Sequence, residues 1–516
     1  MFANPIIWAD YPDLDVIRVE DIYYMVSTTM HMMPGCVILR SYDLIQWETA
    51  AHVYDRLDDT PAQCLEEGAQ IYGKGMWAAS LRHHKDTFYV IFVANDTHRT
   101  YLYTAQDVKG PWTKQYVEGF YHDCSLFFDE DDRIYLIHGN AEVFLTELRS
   151  DLSGPEPGGV HRMIVKDKQP FFLGYEGAHF YKINGKYYVF LIHISKASGR
   201  RTQACYMAES LEDEFIGGEV FNDDMGYFNS GVAQGGIVDT PEEEWYAMLF
   251  QDHGAIGRVP VLVPLQFKND IPVFSSQAPK QIHIPSTRAD YTYKPLVGSD
   301  SFHYEPGENG KVRLNDFWQW NHTPNDELWS VTDKPGVYRI QSGHIRPNLT
   351  FAVNTLTQRA MGPVCEVMVK LDGSRLKDGD YAGLCFLIGT YGLIALTRSE
   401  GHFYLVMLAR NGEDSSIFGN LIDAEPAIEY ARVPIDESEV TFKAIGNFVN
   451  NQDECSFFYL EGAEWRPLGI THKMFYKLDH FMGCRIGLFL YSTKMIGGIA
   501  DFSNFEYKVM HPHEHY

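Results

Sequence analysis

Three carboxylic acids, Asp13, Asp123 and Glu176, occupy one phase of a repeat in the first half of this 516-residue chain. The repeat is an aromatic or aliphatic residue, a Tyr and an apolar run: Tyr23-Tyr24-Met25-Val26, Phe88-Tyr89-Val90-Ile91, Ile134-Tyr135-Leu136-Ile137, Tyr187-Tyr188-Val189-Phe190 and Trp245-Tyr246-Ala247-Met248. Twelve residues before Tyr89, Tyr135, Tyr188 and Tyr246 stand Trp77, Asp123, Glu176 and Gln234, and eleven before Tyr24 stands Asp13. Cleaving a bond between sugars requires one carboxyl that protonates the leaving oxygen and one carboxylate that activates water or attacks the ring. A ring of three acids around a shallow pocket, with a Trp beside it, supplies those groups. A single acid at a strand start reads equally well as a solvated turn residue; three at one phase weigh against that.

The elements that must position these acids are short strands. The five copies recur at intervals of 46 to 65 residues, against ~40–50 for propeller blades, and a charged or Gly-containing turn precedes each. In a blade the innermost strand comes first and lines the central channel, so the five equivalent positions form a ring at its mouth. Asp13 and Glu176 come from different blades and face one another across it. That favours the ~6.5–9.5 Å carboxyl separation of an inverting enzyme over the ~5–5.5 Å of a retaining one. The sequence thus predicts an all-β chain. A five-bladed β-propeller spans residues 1–267, a Pro-, Ser- and Gln-rich linker 268–294, and a two-sheet β-sandwich 295–516.

Composition narrows the partners. A formal charge of −26 repels nucleic acid and anionic membrane, whereas a neutral oligosaccharide is compatible with it. With 45% hydrophobic and 14% aromatic residues the chain has material for two or three cores. The start, Met1-Phe2-Ala3-Asn4-Pro5, has neither a basic nor an apolar leader region, and no stretch approaches the ~20 apolar residues of a spanning helix, so a cytoplasmic protein is expected. The eight cysteines show no CxxC spacing and read as reduced core residues. The terminal His511-Pro512-His513-Glu514-His515 reads as a loose tail. A homo-oligomer is compatible with the chain, and no residue specifies one.

The surroundings of the three acids resemble the motifs of family-43 glycoside hydrolases. The matching stretches are Asn4-Pro5-Ile6 with Tyr11-Pro12-Asp13 and Arg18, then Asp123-Cys124-Ser125-Leu126-Phe127-Phe128-Asp129, then Tyr175-Glu176-Gly177-Ala178-His179. Carried over residue by residue, the resemblance implies Asp13 as general base, Asp123 as modulator of the acid and Glu176 as general acid, with inversion at the anomeric carbon. It extends through Trp77-Ala78-Ala79-Ser80-Leu81-Arg82, Gln234-Gly235-Gly236 and Phe250-Gln251-Asp252-His253 to Arg258, which implies Trp77 as a pocket wall and Gln234 and Arg258 as sugar contacts. Ser27 to Gly35 resembles a loop that shapes the terminal sugar pocket, with Met30 and His31 at its centre. No cofactor is required for the chemistry. Many members carry a His before the Gln-Gly-Gly element, near a central calcium; here that place is Ala233, and His253 or Gln234 is left as the candidate for a structural calcium ion. The second half resembles the concanavalin-like sandwich of xylosidase-type members, whose loop closes one side of the pocket, with Phe481 as that loop's aromatic. The activity implied is exo-release of terminal pentoses, β-D-xylose or α-L-arabinofuranose, from xylo-oligosaccharides or arabinoxylan fragments. The alternatives are an endo-acting arabinanase and a carbohydrate-binding propeller without catalysis.

Overall fold

The strands that carry the Tyr repeat in the first half are buried on both faces. In Ile22–Ser27 and Lys186–Ile194 nearly every side chain is enclosed, which requires a sheet sandwiched between two others. In the second half Val364–Arg375 and Glu439–Asn447 alternate between enclosed and half-buried residues, the mark of a sheet with a single core face. The computed structural model, which describes residues 2–168, 172–307, 310–412 and 422–510, turns these two patterns into two architectures. The tail at 511–515 lies outside the described residues.

The first is a ring of five four-stranded antiparallel sheets, each made of four strands in chain order; in the first sheet the short strand Met32–Met33 intervenes. The blades are Asp15–Val19, Ile22–Ser27, Gly35–Ser41 and Glu48–Tyr54; Met76–His84, Thr87–Ala94, Arg99–Ala105 and Thr113–Val117; Ser125–Phe128, Ile134–His138, Glu142–Leu148 and His161–Lys166; Glu176–Ile183, Lys186–Ile194, Arg201–Ala208 and Ile216–Phe221; and Ile237–Asp239, Trp245–Asp252, Arg258–Lys268 and Ile271–Phe274. The chain start fastens the ring. The Asn4 side chain donates to the Leu262 carbonyl (2.7 Å) and accepts from its N–H (3.0 Å), mimicking a strand neighbour beside the fifth blade.

One boundary differs from the sequence reading. The stretch expected as linker from residue 268 contains the fifth blade's outermost strand, Ile271–Phe274, and a further strand, Gln281–Ile282, that pairs with Phe2–Ala3. Asn269 and Asp270 both have positive φ (50° and 65°) and make the tight hairpin turn that two such residues favour. Pro272 sits on this outermost strand, where a missing N–H is tolerated.

The second architecture is a sandwich of two large sheets. One contains, in order, Ile428–Ile435, His402–Ala409, Gly392–Ser399, Asp380–Leu387, Arg485–Ser492, Leu356–Arg359 and Gln319–Asn321, and its last strand is Met32–Met33 from the propeller. Met33 pairs with Trp320 and Met32 with Asn321, so a backbone ladder joins the two domains. These methionines form an edge strand of the sandwich. Gly483 brings the sandwich close to the propeller: a Cβ there would lie 2.3 Å from the Ile256 carbonyl. All eight cysteines are free, and seven are buried.

Candidate active site

Each ring residue sits at the start of an innermost strand. Asp13 precedes Asp15–Val19, Asp123 precedes Ser125–Phe128, Gln234 precedes Ile237–Asp239, and Trp77 and Glu176 lie in the first turn of their strands. Asp13, Asp123 and Gln234 share a left-handed backbone (φ 54°, 46° and 60°), a conformation that costs ~1–2 kcal/mol for an L-residue and persists only where the surroundings enforce it. Gly177, after Glu176, has φ 64°, and a Cβ there would meet the Gln234 side chain at 2.8 Å. Gln234 therefore lies flat against the backbone that carries Glu176.

The three acids divide into one and two. Asp13 is held by Arg258, whose Nη1 donates to Oδ1 at 2.9 Å, with both side chains enclosed. Burial pushes the Asp13 carboxyl above the ordinary carboxylate range, Arg258 pulls it back, and the Asp123 charge adds to the upward push. Asp123 and Glu176 stand together with His122. Its Nε2 lies 3.2 Å from Glu176 Oε2 and 3.5 Å from Asp123 Oδ2, and Asn140 Nδ2 donates to the same Glu176 oxygen. Burial raises the Asp123 carboxyl, His122 opposes the rise, and the neighbouring Glu176 adds to it. Burial works against charge on His122, yet Asp123 and Glu176 hold its imidazole up at about 9. Both carboxyl groups thus favour the imidazolium form of His122.

Neither His122 nor Asn140 was picked out by the sequence. His122 adjoins Asp123 and was within reach of a search around the acid; Asn140 follows the second strand of its blade, out of phase with the repeat, and carried no signal.

The pocket wall is aromatic and comes from both domains. Trp77 meets His122 edge-on at 5.7 Å and Phe481 of the sandwich at 5.5 Å. Phe481 also lies under the Arg258 guanidinium, 4.7 Å from centroid to Cζ, and its carbonyl accepts from Arg258 Nη2. Cation and quadrupole attract in this geometry, so one arginine ties Asp13 to the sandwich loop.

Two expected contacts are corrected. Met30 is enclosed (1% exposed) and packs with Met32 and Met482 beneath Trp77 and Phe481; it supports the wall. His31 is wholly buried at the domain junction, its ring among those of Tyr72, His322 and His480 at 4.5, 4.8 and 5.3 Å. One residue beyond Met30, where the chain turns into the shared edge strand, the side chain faces the sandwich and cannot reach a sugar.

His253 belongs to no group of three metal-ligating side chains among the described residues. Its Nε2 is hydrogen-bonded to Gln251 Oε1 (2.8 Å), its ring stacks on Tyr227 at 3.9 Å, and burial pushes its imidazole down to about 4. The propeller axis does not fit calcium. Asp15, Arg82, Ser125 and His179, from four innermost strands, meet there. Arg82 Nη1 lies 2.6 Å from Asp15 Oδ2, Arg82 Nη2 donates to Ser125 Oγ, and His179 Nδ1 contacts Asp15 Oδ1. Burial would raise the Asp15 carboxyl, but Arg82 and His179 hold it at about 2. A guanidinium stands where a calcium ion would need oxygen ligands. Among the described residues the cluster with metal-ligand spacing is His122, Asp123 and Glu176, where Asn140 already donates to the Glu176 oxygen.

The arrangement can therefore hold one carboxylate beside a guanidinium on one side of a pocket and a hydrogen-bonded carboxyl pair on the other. Comparisons with known proteins agree. Residues 2–272 match the model of glycosyl hydrolases family 43, and residues 310–508 match that of the beta xylosidase C-terminal concanavalin A-like domain. A beta-xylosidase of Formosa agariphila is 27% identical over 98% of this chain and 90% of its own length, and a xylosidase/arabinosidase of Butyrivibrio fibrisolvens 25% identical over 97% and 98%. A solved structure described as a bifunctional GH43-CE protein of Bacteroides eggerthii is 40% identical with a TM-score of 0.89 over 98% of this chain; the chain spans 63% of that protein's length. With both domains matched in order, the chain belongs to glycosyl hydrolase family 43.

Proposed function

We propose that the protein is an inverting exo-glycoside hydrolase that releases terminal pentoses, β-D-xylose or α-L-arabinofuranose, from xylo-oligosaccharides or arabinoxylan fragments. The observation that carries this reading is the division of the acids. Asp13 stands apart with Arg258, while Glu176 and Asp123 share His122. Asp13 takes a proton from water as that water attacks the anomeric carbon. Glu176, its Oε2 fixed by His122 and Asn140, gives a proton from its other oxygen to the glycosidic oxygen. The carboxylate left behind is met by the His122 imidazolium, and Asp123 holds that imidazolium in place. Attack and departure on opposite faces invert the anomeric centre.

Exo action is supported by Phe481. The sandwich presents its ring against Trp77 and Arg258, which closes the pocket on one side and disfavours the endo-arabinanase reading. A non-catalytic propeller is disfavoured by the intact set of acids. The two relatives named for xylose and arabinose release support pentose as the sugar class.

Release of sugar from aryl β-D-xyloside, aryl α-L-arabinofuranoside and xylobiose tests the proposal in wild type and Glu176→Ala. Activated aryl groups leave with little protonation, so the variant should lose ~10²–10⁴-fold on xylobiose and far less on the aryl substrates. NMR of the first-formed xylose from xylobiose should show the α-anomer. Equal losses on both substrate types would remove Glu176 from the acid's role, and a first-formed β-anomer would exclude inversion.

A further inference from the structure

Across the domain junction two arginines oppose one another. Arg359, in Leu356–Arg359, is the direct cross-strand partner of Arg485, in Arg485–Ser492. They are 4% and 0% exposed. Like charges directly opposite are destabilising even on a surface, and a buried guanidinium cannot escape by losing its proton. Here both point at one neutral acceptor: Arg485 Nη1 lies 2.9 Å and Arg359 Nη1 3.3 Å from Gln319 Oε1. Arg359 Nη2, Arg485 Nε and Arg485 Nη2 are buried without a hydrogen-bond partner.

The surroundings do not neutralise them. Tyr11 lies 3.9 Å beneath the Arg359 guanidinium, and its hydroxyl is also buried and unpartnered. Burial pushes the imidazoles of His52 and His480 down to about 3, with Arg485 adding to the effect on each; they are neutral, and both ring nitrogens of His480 lack partners. The carboxylate acting on Arg485 is that of Asp10, whose oxygens accept from the backbone N–H groups of Arg258 (2.8 Å) and Gly483 (2.9 Å). Two adjacent enclosed cations facing several unpaired donors need a counter-charge of small size, because each uncompensated buried charge costs several kcal/mol.

We propose that the junction is an anion site, in which one small monovalent anion of halide size sits between the Arg359 and Arg485 guanidiniums. Its place gives it a task. Arg359 Nε donates to the Asp10 carbonyl (2.8 Å), three residues before Asp13. Arg485 follows Phe481 by four residues and begins the strand after the loop that Gly483 anchors to Asp10. The anion fastens the sandwich loop to the segment that carries the base.

The test begins with protein exchanged into sodium gluconate, then titrated with sodium chloride or bromide at constant ionic strength. The thermal midpoint should rise saturably, by about 2 °C or more, with either halide and not with gluconate. Bromide-soaked crystals should show an anomalous peak in contact with both guanidiniums. Arg485→Met removes one of the two charges while keeping an apolar stem, and should abolish both the halide response and the peak. A wild-type crystal with waters alone between the arginines overturns the proposal. So does a bromide peak without any halide effect on the midpoint, which marks an adventitious ion. Should Arg485→Met fail to fold, the wild-type peak and titration decide together.

Discussion

Removing the charge beside the base separates two roles that Arg258 can play. Its Nη1 contact with Asp13 is 2.9 Å long and nearly free of solvent, the two side chains being 3% and 8% exposed. A hydrogen bond to an ionised group contributes ~1.5–3 kcal/mol, and 1.36 kcal/mol moves a pKa by one unit. Burial already raises the Asp13 carboxyl, and Arg258 is the main opposing influence. Arg258→Met should therefore move the acid limb of kcat/KM upward by ~1–2 pH units, because the base works only when ionised. The assay is the pH profile of xylobiose hydrolysis for wild type, Arg258→Lys and Arg258→Met. The Met variant's deficit should shrink as pH rises past its new limb, and Lys should fall between. Arg258 also stacks on Phe481, so part of the loss will persist at every pH. A deficit constant across the profile, with the acid limb unmoved, would refute the reasoning and leave Arg258 as a binding or packing residue only.

Three further outcomes follow from the same geometry. His122→Gln removes the cation shared by Asp123 and Glu176 and should move the alkaline limb of kcat/KM upward by about one pH unit; a profile that only scales down would make His122 a spacer. Phe481→Ala loses a cation–π contact of ~1–2 kcal/mol and should lower kcat/KM on xylobiose about tenfold, with some internal cleavage of xylohexaose; an unchanged product pattern would show that another group closes the pocket. Asp453 accepts from the Ala255 N–H across the domain boundary at 2.9 Å, and burial raises its carboxyl from 3.8 to about 6. Because the folded protein binds that proton more tightly than the unfolded chain, stability is lost as pH rises between these values. Asp453→Asn should raise the thermal midpoint at pH 8, with a gain of at most about 3 kcal/mol, and make no difference near pH 4; an equal gain at both pH values would trace it to packing.

The order of the blades and the place of the acids were legible because a propeller repeats locally. In each blade the first two strands are consecutive, so a Tyr in the second strand and a residue at the start of the first keep a nearly constant offset. The offset survives variation by compensation. Blades two and four carry an extra residue in the first strand, between Met76 and Ala79 and between Glu176 and His179, before the two-residue turns Lys85-Asp86 and Asn184-Gly185. Blade three has no such shift but a longer turn between Phe128 and Ile134. Twelve residues back from the Tyr therefore reaches the pocket in each.

Strand period, turn positions, the phase of Asp13, Asp123 and Glu176, and reduced cysteines in apolar runs are all set by neighbouring residues and so were readable along the chain. Contacts between distant segments were settled by the assembled fold alone. Met32 and Met33 became an edge strand of the other domain because the sandwich sheet offered an open edge. His31 turned away from the pocket with them, while Asn140 reached Glu176 from a different strand connection. Arg359 and Arg485, 126 positions apart, became cross-strand partners through register alone. A side chain's burial and charge environment are set by whichever chain folds against it, and no local pattern records that choice.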